Sequence, residues 1–400
     1  MLSVRPLDEV KEFIINYFRG YVLTSEQVHM ESASGRVLSE DVLSNEYVPG
    51  FTRSTVDGYA VCASDTFGCS DSIPALLSLK GEVTMGKPAG FSISKGECGY
   101  VPTGGAVPKG ADAMVMIEYA DVFPDGTIAI NKPSAPGNGL IFTGDDVKPG
   151  KLVLKIGQRL KPKDIGTLAA MGVTSVDVFK KPKVAVISTG NELIPPDGIP
   201  NSGEIRDVDQ SMLIASLCSA GAEAISFGII KDEQTLLMQT VIKASEECDM
   251  VLISGGTSVG LRDATSIVIE QLGEILVHGL ALKPGKPTLV GEIANKPVFG
   301  LPGHPVAAYF VFKLLVEPLL SAMTLTSECP IIVSSSIVSN FPSNHGREEC
   351  VAVTLKDGQA IPISAKSGLI TTLSGADGFI RIPRDCEGLK KNSRVDVILF

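Results

Sequence analysis

The spacing of apolar residues changes period several times along the chain, and each change predicts a change of element. Residues 6–19, PLDEVKEFIINYFR, place Leu7, Val10, Phe13, Ile14, Tyr17 and Phe18 on one helical face, with acids early and Arg19 late. Residues 24–43 resemble a second helix interrupted near Ser34-Gly35, followed by a strand in RVLSEDVLS. From 44 to 146 short β-like pieces (YAVCAS, ALLSLKGEVT, ECGYVPTGG, DAMVMIEYADVF, TIAINK) alternate with Gly and Pro, which predicts a β-rich domain inserted into the helical part. Residues 147–180 contain a helix opened by Lys163-Asp164 and ended by Gly172, and join the N-terminal segment as a discontinuous scaffold, 1–43 with 147–180. Residues 181–327 alternate strand and helix, the pattern of a doubly wound, mostly parallel sheet. Residues 328–400 return to β pieces (PIIVSSSIVS, EECVAVTLK, AIPIS, GFIRIP, SRVDVILF), which predicts a small C-terminal β-barrel.

Within the α/β part, DMVLISGGTSVGLRD at 249–263 is the organising stretch. An apolar run from Met250 to Ile253 suits a fully buried strand. It breaks into Gly255, Gly256, Thr257, Ser258 and Gly260, passes Arg262 and Asp263, and enters a helical pattern in TSIVIEQL. Such a junction can cradle an anion, because glycines let backbone N–H groups approach oxygens and a helix N-terminus is partly positive. It is neither GxGxxG nor GxxxxGK[ST], and a plain tight turn is the competing reading. Other polar segments also follow strands: Thr189-Gly190-Asn191-Glu192, Lys231-Asp232-Glu233, KPGK at 283–286 and LPGHP at 301–305. Ligands of open α/β sheets sit at the carboxyl ends of strands, so this shared placement favours a site at that edge.

Four hundred residues exceed one ordinary core, which predicts roughly two to four domains. The net charge of −10, with 35 basic against 45 acidic side chains and no long basic run, argues against nucleic acid as a partner. Cysteines 62, 69, 98, 218, 248, 329, 350 and 386 are scattered with no CxxC, so reduced thiols are expected rather than a zinc ribbon or redox motif. Residues 1–20 carry acids and no long apolar core, and no uninterrupted apolar run reaches about 18 residues. A reducing cytoplasmic setting, without signal peptide or membrane span, is expected.

Carboxylates at strand ends beside glycine loops and spaced lysines suit a Mg²⁺-bound polyphosphate. Lys283 and Lys286 offer point charges to an oxyanion, and the oxygen-rich donor set favours magnesium over zinc. In the β-rich insertion, PGFTRSTVDGYAV carries Asp57 and FTGDDVKPG carries Asp145-Asp146; a turn-capping or solvated role is the competing reading for each. Of four dispersed histidines only His304, in LPGHP, lies near the proposed edge, and no GxSxG supports a serine triad.

STVDGYAV, VPTGGAVPKGAD, TGDDVKPG, STGNEL, GIIKDE, SGGTSVGLRD, LALKPGKPT and GLPGHPV occur in an order that resembles the MoeA family of molybdopterin molybdenumtransferases, which includes the gephyrin E domain. The resemblance spans about residue 5 to the C-terminus. It implies an elongated scaffold, an inserted lid at 44–146, a MogA-like molybdopterin-binding domain at 181–327 and a barrel at 328–400. It implies a homodimer whose active site lies between the α/β domain of one subunit and the lid of the other. The implied reaction cleaves adenylylated molybdopterin with Mg²⁺, releases AMP and inserts molybdenum from molybdate. A transient contact with the molybdopterin adenylyltransferase follows from that sequence of steps. Carried over by motif, the catalytic set is Asp57, Asp146, Glu192, Asp232 and Asp263, with Asp263 and Asp232 on the metal. The substrate-binding set is Thr103, Thr189, Gly190, Ser254, Gly255, Gly256, Thr257, Ser258, Gly260, Pro302, Gly303 and Pro305. Lys283, Lys286, Arg347 and Ser367, with Pro302 beside them, match the positions that gather molybdate.

The chain departs from the family pattern at Arg53, Gly105, Leu261-Arg262, His304 and Ala307, which leaves tungstate open as the metal source. Two other readings stand beside this one. Adenylylation of molybdopterin would need only the α/β domain and would leave VDGYA and TGDD without a role. A carrier or scaffold would bind without turnover.

Overall fold

Alternation of apolar side chains between the two faces of a buried sheet fixes the centre of the molecule. In the computed structural model, which describes residues 4–255, 264–326, 329–363 and 368–400, this sheet lies in the α/β part. Its strands are β1 (Lys183–Thr189), β2 (Glu223–Ile230), β3 (Met250–Ser254), β4 (Glu274–His278), β5 (Leu289–Ile293) and β6 (Lys296–Leu301), in the order β2-β1-β3-β6-β5-β4. Strands β2, β1, β3 and β6 are parallel, and β5 runs antiparallel to both its neighbours. Val184, Val186, Met250 and Leu252 bury on one face with Leu213 and Leu217 of α1 (Asp209–Ser219). Ala185, Ile187, Val251 and Ile253 bury on the other with Leu237 and Val241 of α2 (Gln234–Glu247) and Val268 and Ile269 of α3 (Ala264–Leu272). Helices on both faces make the sheet doubly wound, as the alternating pattern predicts. Each fully buried Val, Leu or Ile stabilises it by about 1.5–3 kcal/mol.

The first face is completed from distant parts of the chain. Helix α4 (Pro305–Val311) continues through Phe312–Val316 to Met323 and buries most of its apolar surface there. The N-terminal helix, Leu7–Tyr17, adds Leu7, Val10 and Ile14 to the same cluster. Sequence order groups this helix with the scaffold, but its apolar stripe needs a large hydrophobic partner and the α/β face supplies one. Backbone bonds from Arg5 N to Gly279 O (3.2 Å) and from Ala281 N to Arg5 O (2.8 Å) hold its entry.

The second helix expected within 24–43 is not formed. Ser25–His29 is a strand, paired antiparallel with Ser175–Phe179, and only Met30–Ser32 makes a 3₁₀ turn. The partner strand satisfies this backbone, and Val28 and Met30 pack on a core with Ala33, Leu38, Leu168 and Val178. Long-range pairing overrides the local pattern here. The helix expected at 163–172 is present as Pro162–Ala170.

The inserted region forms a six-stranded sheet ordered Ala113–Met116, Gly58–Val61, Glu97–Val101, Ala75–Glu82, Thr127–Ile130, Ala120–Val122. Its buried clusters draw all their members from the region itself. The chain enters and leaves side by side: Val48 bridges Val147, and Val42–Leu43 pairs with Leu152–Leu154. The C-terminal part closes as a five-stranded barrel, from Glu348–Lys356 through Gln359–Pro362, Ile332–Ile337, Arg394–Leu399 and Gly378–Ile382 back to the first. It docks on the α/β part through Cys350, Ala352 and Phe379, with Phe379 edge-on to Phe310 at 5.2 Å.

One buried carboxylate ties β3 to α1. Asp209, 6% exposed, accepts a hydrogen bond from Ser254 Oγ, and its other oxygen has no partner among the described residues. Burial pushes its carboxyl up to about 6; the Ser254 hydroxyl pulls in the opposite direction, and neighbouring Asp207 adds to the rise. A folded-state value above the unfolded one means the ionised group costs stability, a cost absent near pH 4 and complete above about pH 7. Asp209→Asn keeps the shape and removes the charge. Urea unfolding from pH 4 to 8 is expected to show the variant gaining up to about 3 kcal/mol over the parent at the alkaline end, with the gap closing towards pH 4. A variant less stable at pH 8 would refute the assignment.

Candidate functional site

The carboxyl ends of β1, β3 and β6 converge on Gly255. This residue has φ +93°, and a Cβ on it would lie 2.2 Å from Thr189 O. Its N–H donates to Leu301 O at 3.3 Å, and a Cβ on Gly303 would come within 3.3 Å of Gly255 Cα. Only glycine allows three strand ends so close. Thr189, Ser254, Gly255 and Gly303 are thereby gathered at one edge, with Pro305 opening α4 just after Gly303.

Carboxylates surround this edge. Thr189 Oγ1 donates to Asp232 Oδ1 at 2.9 Å, and Asp232 N donates to Asn191 Oδ1 at 3.2 Å. Glu192 folds back over Gly190, whose hypothetical Cβ would lie 3.0 Å from both carboxylate oxygens. Asp232 and Glu192 are both exposed, so their oxygens are open to a hydrated ion or ligand. Oxygen donors of this kind fit Mg²⁺, which keeps several waters and needs few protein ligands. Among the described residues no group of three or more His, Cys, Asp or Glu forms a closed metal cage. Beside this edge a cavity of about 370 Å³ is lined in part by Gly190, Asn191, Asp207, Gln210 and Lys231. That volume lies within the range of small-molecule sites. Asp207 is 3% exposed, with one oxygen capping Gln210 N and the other without a partner among the described residues.

Lys283 lies elsewhere on the domain, at its seam with the barrel. Leu282–Lys283 pairs in parallel with Glu348-Glu349, and Lys283 Nζ meets Glu349 Oε1 at 2.8 Å. Lys286 is exposed, and the turn between the lysines is closed by Leu280 N to Lys286 O at 3.0 Å. Arg347 is half-buried, immediately before the paired strand. Helix α4 joins the two regions: Val311 packs under Gly285, while the helix begins at His304, next to Gly303. Pro302 is buried at this junction, and His304 Cδ2 lies 3.9 Å from the position of a Cβ on Gly368.

In the inserted domain Asp57 and Thr103 meet: Asp57 Oδ1 accepts from Thr103 N at 2.9 Å. The turn-capping reading of Asp57 is therefore realised in the geometry, between two loops rather than within one. Asp146 is exposed where the chain leaves the domain, and its carbonyl accepts from Lys151 Nζ at 2.8 Å. Asp145 caps Phe142 N at 2.7 Å. Gly256, Thr257, Ser258, Gly260, Asp263 and Ser367 lie outside the described residues.

Sequence reasoning passed over Glu349, Ser343, Asp207 and Asp209. An acidic pair directly after Arg347 and an acid-rich RDVDQ before a helix were the available signals. Neither has a motif, and their importance comes from burial and long-range pairing.

Comparison with known proteins agrees across the whole length. Residues 5–172 match the MoeA N-terminal region (domains I and II), 185–322 match a probable molybdopterin binding domain, and 338–400 match the MoeA C-terminal region (domain IV). A molybdopterin molybdenumtransferase of Bacillus subtilis is 31% identical, with 99% of this chain and 94% of that protein covered. The crystal structure of a molybdopterin biosynthesis MoeA protein from Pyrococcus horikoshii OT3 superposes with a TM-score of 0.89 at 32% identity over 100% of both chains. A second MoeA structure from Pyrococcus horikoshii gives 0.83 at 39% identity over 99% of each. The chain belongs to the MoeA family.

Proposed function

We propose that this chain is a molybdopterin molybdenumtransferase that takes adenylylated molybdopterin and molybdate, releases AMP and yields molybdenum cofactor. The observation that carries the reading is the convergence of Thr189, Gly190, Asp232, Ser254, Gly255 and Gly303 at one sheet edge, joined by α4 to the lysine turn at the barrel. Adenylylated molybdopterin lies along the strand ends, its phosphates bound at Gly255 and by the glycine-rich sequence that follows it, with Thr257 and Ser258 as donors. Pro302 and Pro305 shape the wall beside it. Asp232 and Asp263 would hold Mg²⁺, which would supply charge neutralisation for the phosphoanhydride. Glu192 and Asp232 orient the attacking water and accept its proton. Lys283, Lys286, Arg347 and Ser367 gather the oxyanion as charge-assisted donors. Tungstate, of the same charge and geometry, competes for the same donors.

The working unit in this reading is a homodimer in the cytoplasm. Asp57 and Thr103 of one subunit's lid, with Asp146 at its hinge, close over the other subunit's strand ends. Support comes from the lid's self-contained cores, which share no buried residue with the α/β domain of their own chain. A brief encounter with the adenylyltransferase delivers the substrate.

Asp232→Asn is expected to lower AMP release from adenylylated molybdopterin by about 100-fold or more, as for loss of a general base, while molybdate binding measured by calorimetry stays within about twofold. An unchanged release rate would remove Asp232 from the chemistry. Mixed dimers test the shared site. Asp57→Asn and Asp232→Asn homodimers, each inactive, are expected to regain activity when subunits are exchanged, because one of the two sites becomes whole. Verified mixed dimers without activity would place lid and sheet edge of one chain together instead.

A further inference from the structure

We propose that Glu349 is a positioning residue for the oxyanion step, fixing Lys283 directly and the loop of Arg347 through Ser343. The proposal rests on Lys283 and Arg347 being oxyanion ligands. Glu349 is 8% exposed, and both its oxygens are engaged. Oε1 forms an ion pair with Lys283 Nζ at 2.8 Å, and Oε2 accepts a hydrogen bond from Ser343 Oγ at 2.6 Å. Its backbone is held by the parallel register of Leu282–Lys283 with Glu348-Glu349 and by Glu348 N to Ala281 O at 2.9 Å. Ser343 begins the loop that ends at Arg347, and this loop is pinned by Ser343 N to Glu387 O and Gly346 N to Arg384 O, both 2.8 Å. A single buried carboxylate thus links a lysine of the α/β domain to the barrel loop that carries an arginine.

Two effects of this carboxylate on a bound anion oppose each other. Its charge repels the anion and partly cancels Lys283. Its hold on Lys283 removes rotamer freedom that a free lysine would lose on binding. The Lys283 side chain remains 42% exposed, so Nζ can donate a hydrogen bond to an anion while the ion pair with Glu349 holds it in place. The pairing weakens Lys283 as much as it shields Glu349, so the balance rests on the ordering of Lys283, and the sign of the KM change in Glu349→Gln reads it directly.

The test uses full-length dimers at saturating adenylylated molybdopterin and Mg²⁺, with molybdate varied. Glu349→Gln keeps the volume and the Ser343 contact and removes the charge. It is expected to raise KM for molybdate about tenfold with kcat within about twofold. In a Lys283→Ala background the same change is expected to add nothing, because the residue through which Glu349 acts is gone. Ser343→Ala, which removes one hydrogen bond and leaves the ion pair, keeps the test available if Glu349→Gln does not fold, and is expected to raise KM about threefold. If Lys283→Ala leaves KM unchanged, the oxyanion reading of Lys283 fails and this proposal with it. If Lys283→Ala raises KM but Glu349→Gln leaves it unchanged, tightens it, or adds in full to Lys283→Ala, the positioning role alone is overturned.

Discussion

The close approach at Gly255 sets the geometry of the α/β domain's functional edge. A side chain there would collide with the carbonyl of Thr189, and Gly303 presses from the other side. Because β1, β3 and β6 are pulled to one point, the groups that follow them are brought together: Thr189 with its bond to Asp232, Ser254 with its bond to Asp209, and Gly303 leading into α4. The sheet behind them is buried on both faces, so the strands cannot slide to relieve that crowding. Rigid strands therefore end in a polar rim, the usual division of labour between scaffold and site.

The second dependency is the docking of the barrel. A two-residue parallel pairing would be marginal alone, but it lies over a core shared by Phe310, Phe312, Phe379 and Ala352. On the rim of that core Arg381 binds Glu348 and also reaches Asp8 of the N-terminal helix at 2.8 Å. The Arg381–Asp8 pair, which crosses between the parts, is open to solvent and contributes little, about 0–1 kcal/mol, so the apolar and aromatic contact carries the docking. Lys283 and Arg347, the residues proposed to gather the oxyanion, sit on the two sides of this seam, which makes their spacing a property of domain docking.

Much of this was legible in the residues, for identifiable reasons. MVLIS and VAVIS read as buried strands because both faces of the sheet are covered, and open α/β sheets place ligands at strand carboxyl ends, which is why the site is expected there. The ordered motifs put Asp57 and Thr103 in the inserted domain and Thr189 and Asp232 at strand ends; that each pair is bonded is a finding of the structure, set by loops that meet only in the fold. Other features depended on partners far away in sequence. Ser25–His29 became a strand because Ser175–Phe179 lies beside it, and no local periodicity reports a partner about 150 residues on. The N-terminal helix has the right stripe, but a stripe does not name the surface it covers. Glu349 looked like one more charge at the start of a strand; its burial against Lys283 and Ser343 arises only once the barrel docks.

Anomalous diffraction at the molybdenum edge, from crystals grown with AMP, Mg²⁺ and molybdate, addresses the central claim directly. The account predicts a single strong molybdenum peak within hydrogen-bonding reach of Lys283 Nζ and the Arg347 guanidinium, with the AMP phosphate at the Gly255 edge. A well-occupied molybdenum site away from the seam between the α/β domain and the barrel, with Lys283 and Arg347 untouched, would contradict it.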